Sequence, residues 1–149
     1  MNTSLAAFFD DLVRCETRLY NALNDRLRDR HGIVTSQFEF LRHLRDHPSA
    51  RVVDLAVAFA VGMGATSKGI DRLEQRGWVA RRPNPADRRS SLLVLTDRGR
   101  LVVDAAERTV AEELAVLIPL ELSQLSPIAE TLQRLRARLE GDRIGMPTG

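Results

Sequence analysis

A chain of 149 residues with 44 % apolar and 28 % charged residues is one domain's worth of globular protein. That composition excludes a collagenous, wholly disordered or membrane-embedded chain and leaves little room for a two-lobed enzyme. The formal net charge is only +2, but it is unevenly spread: between residues 68 and 100 nine basic residues against four acids give +5, leaving −3 for the rest. A basic middle between mildly acidic flanks is the footprint of a segment that meets phosphate, with a solvated charged face as the alternative reading.

The single cysteine, Cys15, excludes an intramolecular disulfide and any multi-cysteine zinc site and suits a reducing compartment. The apolar run at 5–9 is cut off by Asp10 and Asp11, too short for a signal-peptide core or a membrane span. A cytoplasmic protein with no membrane partner is expected.

From about residue 3 to 30, Phe8, Leu12, Cys15, Leu19, Ala22 and Leu23 recur by threes and fours, predicting a long amphipathic helix. A second helix is expected from Thr35 or Ser36, with Glu39 three residues after Ser36, to about His47 before Pro48. Two short helical stretches follow, at about 51–59 and 64–76, separated by VGMG at 61–64. That is the spacing of a helix-turn-helix, whose second helix stops at Gly77.

Beyond Gly77, GWVARR predicts a strand, NPADRR at 84–89 a turn and SLLVLT at 91–96 a returning strand. Together they form a hairpin wing with an arginine-bearing tip. A further helix runs from Asp97 to about Ile118 before Pro119, and Leu125, Ile128, Leu132, Leu135 and Leu139 predict a last one, with Ser126 as cap and Pro127 at the first helical position. The seam-like faces of the first and last helices point to packing against a second copy, with an intramolecular bundle as the alternative.

The fold class expected is therefore mainly α with a small β-hairpin wing. A winged helix-turn-helix region at about 33–98 would be flanked by dimerisation helices at about 3–30 and 100–140, in one domain spanning 1–149.

This order of elements makes chemical sense of the charge. A helix fits the major groove and delivers the side chains of its first turns to base edges. Thr66, Ser67 and Lys68 open the second short helix and Arg72 follows, opposite a stripe of Ile70 and Leu73. At the wing tip stand Asp87, Arg88 and Arg89. Their spacing lets the Asp87 carboxylate hold the Arg89 guanidinium ready for phosphate or a narrow minor groove, or form an ordinary surface ion pair.

The connected stretch DLAVAFAVGMGATSKGIDRLEQRGWVARRPNPADRRSSLLVLTDRG, residues 54–99, resembles the MarR family of winged-helix regulators. The matching pieces are Asp54, Leu55 and Ala56, DRLE at 71–74, Gly77, and the wing signature Asp87, Arg89, Leu95, Thr96 and Gly99. The resemblance implies a homodimer that binds double-stranded DNA at an inverted-repeat operator, most simply as a repressor released by a small aromatic or anionic ligand. It places Thr66, Ser67, Lys68 and Arg72 in the major groove, and Arg89, steadied by Asp87, in the minor groove. Three departures stand out: Gly62 where a capping serine is expected, Gly69 inside the recognition helix, and Trp78 in place of an aliphatic residue, read as packing beneath the wing.

Candidates for an effector cleft are Phe8, Leu12, Tyr20, Phe38 and Leu41, all at helical spacing and equally readable as core. Some regulators that this chain resembles sense peroxides through a cysteine in the first helix. Cys15 is a candidate of that kind, but its place on the apolar seam and the surrounding RCETRLY favour a buried, inert thiol. His43 and His47, four apart, lack an acidic or cysteine partner in their stretch, so no metal is expected, and no cofactor. No phosphate loop, nucleophile elbow or serine–histidine–acid set is present, which argues against an enzyme. The rival class is a winged-helix module for DNA architecture or protein contacts without ligand control.

Overall fold

The computed structural model describes residues 4–148, in the order α1 (Leu5–His31), α2 (Thr35–Asp46), α3 (Val52–Phe59), α4 (Met63–Gln75), β1 (Val79–Arg82), β2 (Leu92–Leu95), α5 (Asp97–Leu117) and α6 (Leu122–Gly141). The fold class is the expected one, helical with a single two-stranded wing among the described residues.

Local chemistry sets most of the boundaries. Ser4 caps α1 by accepting the Ala7 N–H at 3.1 Å, and Gly32, at φ 65°, closes it with a bond to the Arg28 carbonyl. The expected caps of α2 are not used. Val34 is the cap residue and has no side-chain oxygen; instead Gln37 reaches back to accept the Val34 N–H at 3.0 Å, and Asn24 of α1 accepts the Thr35 N–H at 2.8 Å. Thr35 is buried, and its hydroxyl has no partner among the described residues. At α3, Asp54 performs the same reach-back to the Arg51 N–H at 2.8 Å.

α3 ends at Ala60 in the left-handed region (φ 51°), and the chain bends by 118° into α4, within the range of a helix-turn-helix. Gly77, at φ 76°, turns the chain out of α4 into the wing, where Val79 pairs with Leu95 and Arg82 with Leu92. The Leu93 N–H donates to the Ala50 carbonyl at 2.8 Å, a backbone bond that ties the segment before α3 to the wing.

Leu27, Ile33, Leu41, Leu55, Ile70, Leu73, Leu93 and Val103 are sealed from solvent, drawn from each of α1 to α5, the turn after α1 and the wing. Each contributes roughly 1.5–3 kcal/mol by leaving water. α5 serves as the spine, packing on α1, α2 and β2.

α6 departs from expectation. It begins at Leu122, with Gln124 accepting the Glu121 N–H at 3.0 Å, and so carries Pro127 as its sixth residue rather than its first. A proline there removes one backbone donor that the helix would otherwise use. None of its described side chains is buried: Leu125, Ile128, Leu132, Leu135 and Leu139 stay 38–48 % exposed. Leu5, Phe8 and Phe9 of α1 are likewise open.

Candidate nucleic-acid interface

α4 is built as an exposed ridge on a fixed base. Ile70 and Leu73 are fully buried, leaving Lys68 and Arg72 in solvent and Ser67 half-buried. Gly62 caps the helix with no side-chain bond. The Thr66 hydroxyl donates to the Gly62 carbonyl at 2.9 Å, a second bond to the oxygen that already accepts the Thr66 N–H at 3.0 Å.

This corrects one expected contact. Thr66 is 0 % exposed and belongs to the foundation of the helix, so it cannot meet a base edge. Gly69 does not break α4. A Cβ there would lie 3.1 Å from the Phe40 ring, so the glycine lets α4 approach α2 closely.

The wing tip is ordered by its own side chains. Asn84 accepts the Ala86 N–H at 3.0 Å, and the Asp87 carboxylate accepts the Arg89 backbone N–H at 2.9 Å. The expected pairing of Asp87 with the Arg89 guanidinium is therefore replaced by an Asx turn. The carboxylate shapes the loop, and the exposed guanidinium stays available, as does that of Arg88.

Three further arginines work inside the chain. Arg76 lies 4.1 Å over the Trp78 ring and donates to the Gly32 carbonyl at 3.3 Å, tying the end of α4 to the turn after α1. Arg51 grips both oxygens of Asp54 at the start of α3, which holds that carboxyl below its ordinary pKa. Arg81 of β1 reaches Asp71 and Glu74 of α4. Trp78 is buried at the base of the wing, as expected. Sequence reading missed these partnerships; the one available signal was a pair of acids, three residues apart, on an otherwise basic helix.

The proposed effector positions scatter. Phe38 and Leu41 are 2 % and 0 % exposed and belong to the core, Phe8 is 52 % exposed on α1, and Leu12 and Tyr20 are half-buried. Burial, then the Glu39 charge, raises the Tyr20 pKa. None of the five lines either of two cavities. One, of about 80 Å³, lies between α2 and α4 against Phe40, Gly69 and Arg72. The other, of about 530 Å³, lies among α2, α3, α5 and α6 against His43, His47, Phe59 and Arg136. Cys15 is exposed, not buried, because in a single chain nothing covers that face of α1. His43 and His47 stack at 4.1 Å between ring centroids. No group of three or more metal-ligating side chains occurs among the described residues.

A helix-turn-helix followed by a two-stranded, arginine-tipped hairpin defines a winged helix-turn-helix protein. Residues 34–91 match the MarR family model. The chain is 32 % identical over 100 residues to the multiple antibiotic resistance protein MarR of Escherichia coli strain K12, covering 64 % of this chain and 69 % of that one. It is 32 % identical over 108 residues to the HTH-type transcriptional repressor MdtR of Bacillus subtilis strain 168, covering 70 % of each. The solved structure of Sco3205, a MarR family transcriptional regulator from Streptomyces coelicolor in complex with DNA, superposes with a TM-score of 0.84 at 21 % identity, covering 99 % of this chain and 94 % of that one. The chain belongs to the MarR family: it is a DNA-binding transcriptional regulator and not an enzyme.

Proposed function

We propose that the chain is a homodimeric, cytoplasmic repressor that binds an inverted-repeat operator and leaves it when a small aromatic or anionic molecule binds. The observation that carries the reading is the division of labour among its charges. Ser67, Lys68 and Arg72 on α4 and Arg88 and Arg89 at the wing tip are open to solvent or half so, while Asp54, Asp71 and Glu74 are engaged by arginines and Asp87 by a backbone amide. The acids nearest the basic elements are thus occupied, and the cations are left to meet DNA.

In this reading residues 33–98 bind DNA, with the helix α4 in the major groove and Arg89 in the minor groove, while 3–30 and 100–140 join two copies. The exposed leucine stripe of α6 and Leu5, Phe8 and Phe9 of α1 supply an apolar surface for that joint. The name of MdtR supports repression, and DNA in the Sco3205 structure supports the binding mode. Leu12, Tyr20 and Phe8 remain the effector candidates, while Phe38 and Leu41 belong to the core. No single helix among the described residues is long and apolar enough to cross a membrane.

The test is binding of the purified protein to duplex DNA from its own promoter region against a scrambled duplex, across salt. A preference of about a thousandfold for one palindromic site supports the reading. Equal, salt-steep binding to both duplexes overturns it in favour of an architectural module. Sedimentation gives the assembly state, and small aromatic carboxylates added to the complex give the release.

A further inference from the structure

Arg81 differs from the other arginines of the wing. Arg82, Arg88 and Arg89 are exposed and form no ion pair among the described residues, whereas the Arg81 side chain is 29 % exposed and its guanidinium is shared by two carboxylates of α4. Its Nη2 lies 2.5 Å from Asp71 Oδ1 and its Nε 3.6 Å from Glu74 Oε1. The Arg81 backbone is anchored, because it stands opposite Leu93 in the β1–β2 ladder and Leu93 is fully buried.

The two acids pose a problem for the reading of α4 as the DNA-entering helix. They stand beside Lys68 and Arg72, so the four formal charges cancel. A neutral helix gains little from phosphate, and two free carboxylates brought toward a polyanion are repelled. An arginine that holds both carboxylates from the wing restores a net positive charge to the unit. It also fixes the angle between the two elements that must reach adjacent grooves together.

We infer that Arg81 is a positioning residue for DNA binding: it braces α4 against the wing and masks Asp71 and Glu74 from phosphate, without touching DNA itself. The inference rests on the proposed engagement of α4 and the wing with DNA.

The experiment is a mutant cycle read by fluorescence anisotropy on the promoter duplex, with each variant's thermal unfolding recorded alongside. Arg81→Ala is expected to weaken specific binding roughly tenfold or more, from the two unmasked carboxylates. In the Asp71→Asn, Glu74→Gln background the same change is expected to cost less than about twofold, because nothing is left to mask. An arginine that binds phosphate loses the same affinity in both backgrounds, and that result overturns the brace. So does an Arg81→Ala protein that binds like the wild type. Arg81→Gln keeps most of the stem's packing and carries the test if Arg81→Ala does not fold. A wild-type protein with no preference for the promoter overturns the functional reading itself; preference in the wild type with no cycle effect overturns only the brace.

Discussion

Gly99 lies against the backbone of Trp78 so closely that a Cβ there would run into the Trp78 carbonyl oxygen and come within 2.9 Å of a Leu95 methyl. The same carbonyl accepts the Thr96 N–H at 3.0 Å, and the Thr96 hydroxyl both donates to the Gly77 carbonyl at 2.7 Å and accepts the Gly99 N–H at 3.0 Å. Thr96 and Gly99 together weld the first turn of α5 to both ends of the wing. Backbone cannot yield as a side chain does, so Gly99→Ala is expected to cost at least about 2 kcal/mol. Thermal or urea unfolding checks this, and a variant as stable as the wild type would show that α5 can lift away from the wing.

Gly69 makes the opposite case. Its Cβ would meet only the edge of the Phe40 ring, at 3.1 Å, and that ring borders the small cavity of about 80 Å³ that Gly69 also lines. The ring has somewhere to go. A mid-helix glycine costs about 1 kcal/mol relative to alanine, so Gly69→Ala is expected to stabilise the fold by a few tenths to about 1 kcal/mol, the displacement of Phe40 taking back part of the gain. A lowered unfolding midpoint would mean that Phe59, 5.4 Å from Phe40 between centroids, pins the ring in place.

The contrast between these glycines shows what the sequence made legible. Periodicity marks the helices because each carries an apolar stripe, buried on α4 as Ile70 and Leu73 and left open on α6, and apolar runs around NPADRR mark the wing. Caps were read less well, since Val34 and Glu121 begin helices by borrowing glutamines three residues on. Which hydroxyl of Thr66 and Ser67 faces out depends on helix phase, settled by Thr66 reaching back to Gly62. The roles of Arg45, Arg76 and Arg81 were illegible because their partners are distant in sequence or in another element.

Arg45 joins α2 to α5 by donating to Asp104 at 2.9 Å and to both oxygens of Glu107 at 2.7 and 3.0 Å, and it also meets Asp46 at 3.0 Å. Hydrogen bonds from Arg45 hold the Glu107 and Asp46 carboxyls below their ordinary pKa values. Folded carboxyls with depressed pKa values add stability that is present above the unfolded values, about 4, and lost as pH falls through the folded ones. Arg45→Met is therefore expected to lower stability by about 1 kcal/mol at neutral pH, after allowing for solvent screening of the half-exposed acids. It should also flatten the loss of stability below about pH 4. Urea titrations at pH 7 and pH 3.5 check this; parallel pH curves for wild type and variant would contradict it.

The histidines act in a higher window with the same sign. His31 Nε2 lies 2.7 Å from the Thr109 hydroxyl across α1 and α5, and burial, then Arg30 and Arg108, lowers its pKa. Burial, then His47, lowers that of His43. A folded pKa below the unfolded one means stability is complete above about pH 6.5 and declines as pH falls toward the folded value. His31→Gln, which can still bond Thr109, and His43→Gln should each flatten the stability profile between about pH 5 and pH 7. Unfolding midpoints across that range decide the matter, and an unchanged slope in both variants would place the pH dependence elsewhere.

The helix phase of α4 makes the sharpest forecast for DNA. Thr66 and Ser67 are adjacent hydroxyl residues, yet the first is sealed under the helix and the second is half-buried next to exposed Lys68. Thr66→Val removes the bond to Gly62 and is expected to cost about 1 kcal/mol of stability while leaving the order of preference among operator variants unchanged. Ser67→Ala is expected to change that order if Ser67 meets a base edge, and only the affinity if it meets phosphate. Arg89→Ala, whose turn is held by Asp87 and the backbone rather than by the guanidinium, should keep its wing shape. It should nonetheless lose roughly 1–3 kcal/mol of operator affinity. Competition binding with single-base operator variants separates these outcomes. A shifted preference in Thr66→Val would mean that the face of α4 turned toward DNA is not the one Lys68 and Arg72 define.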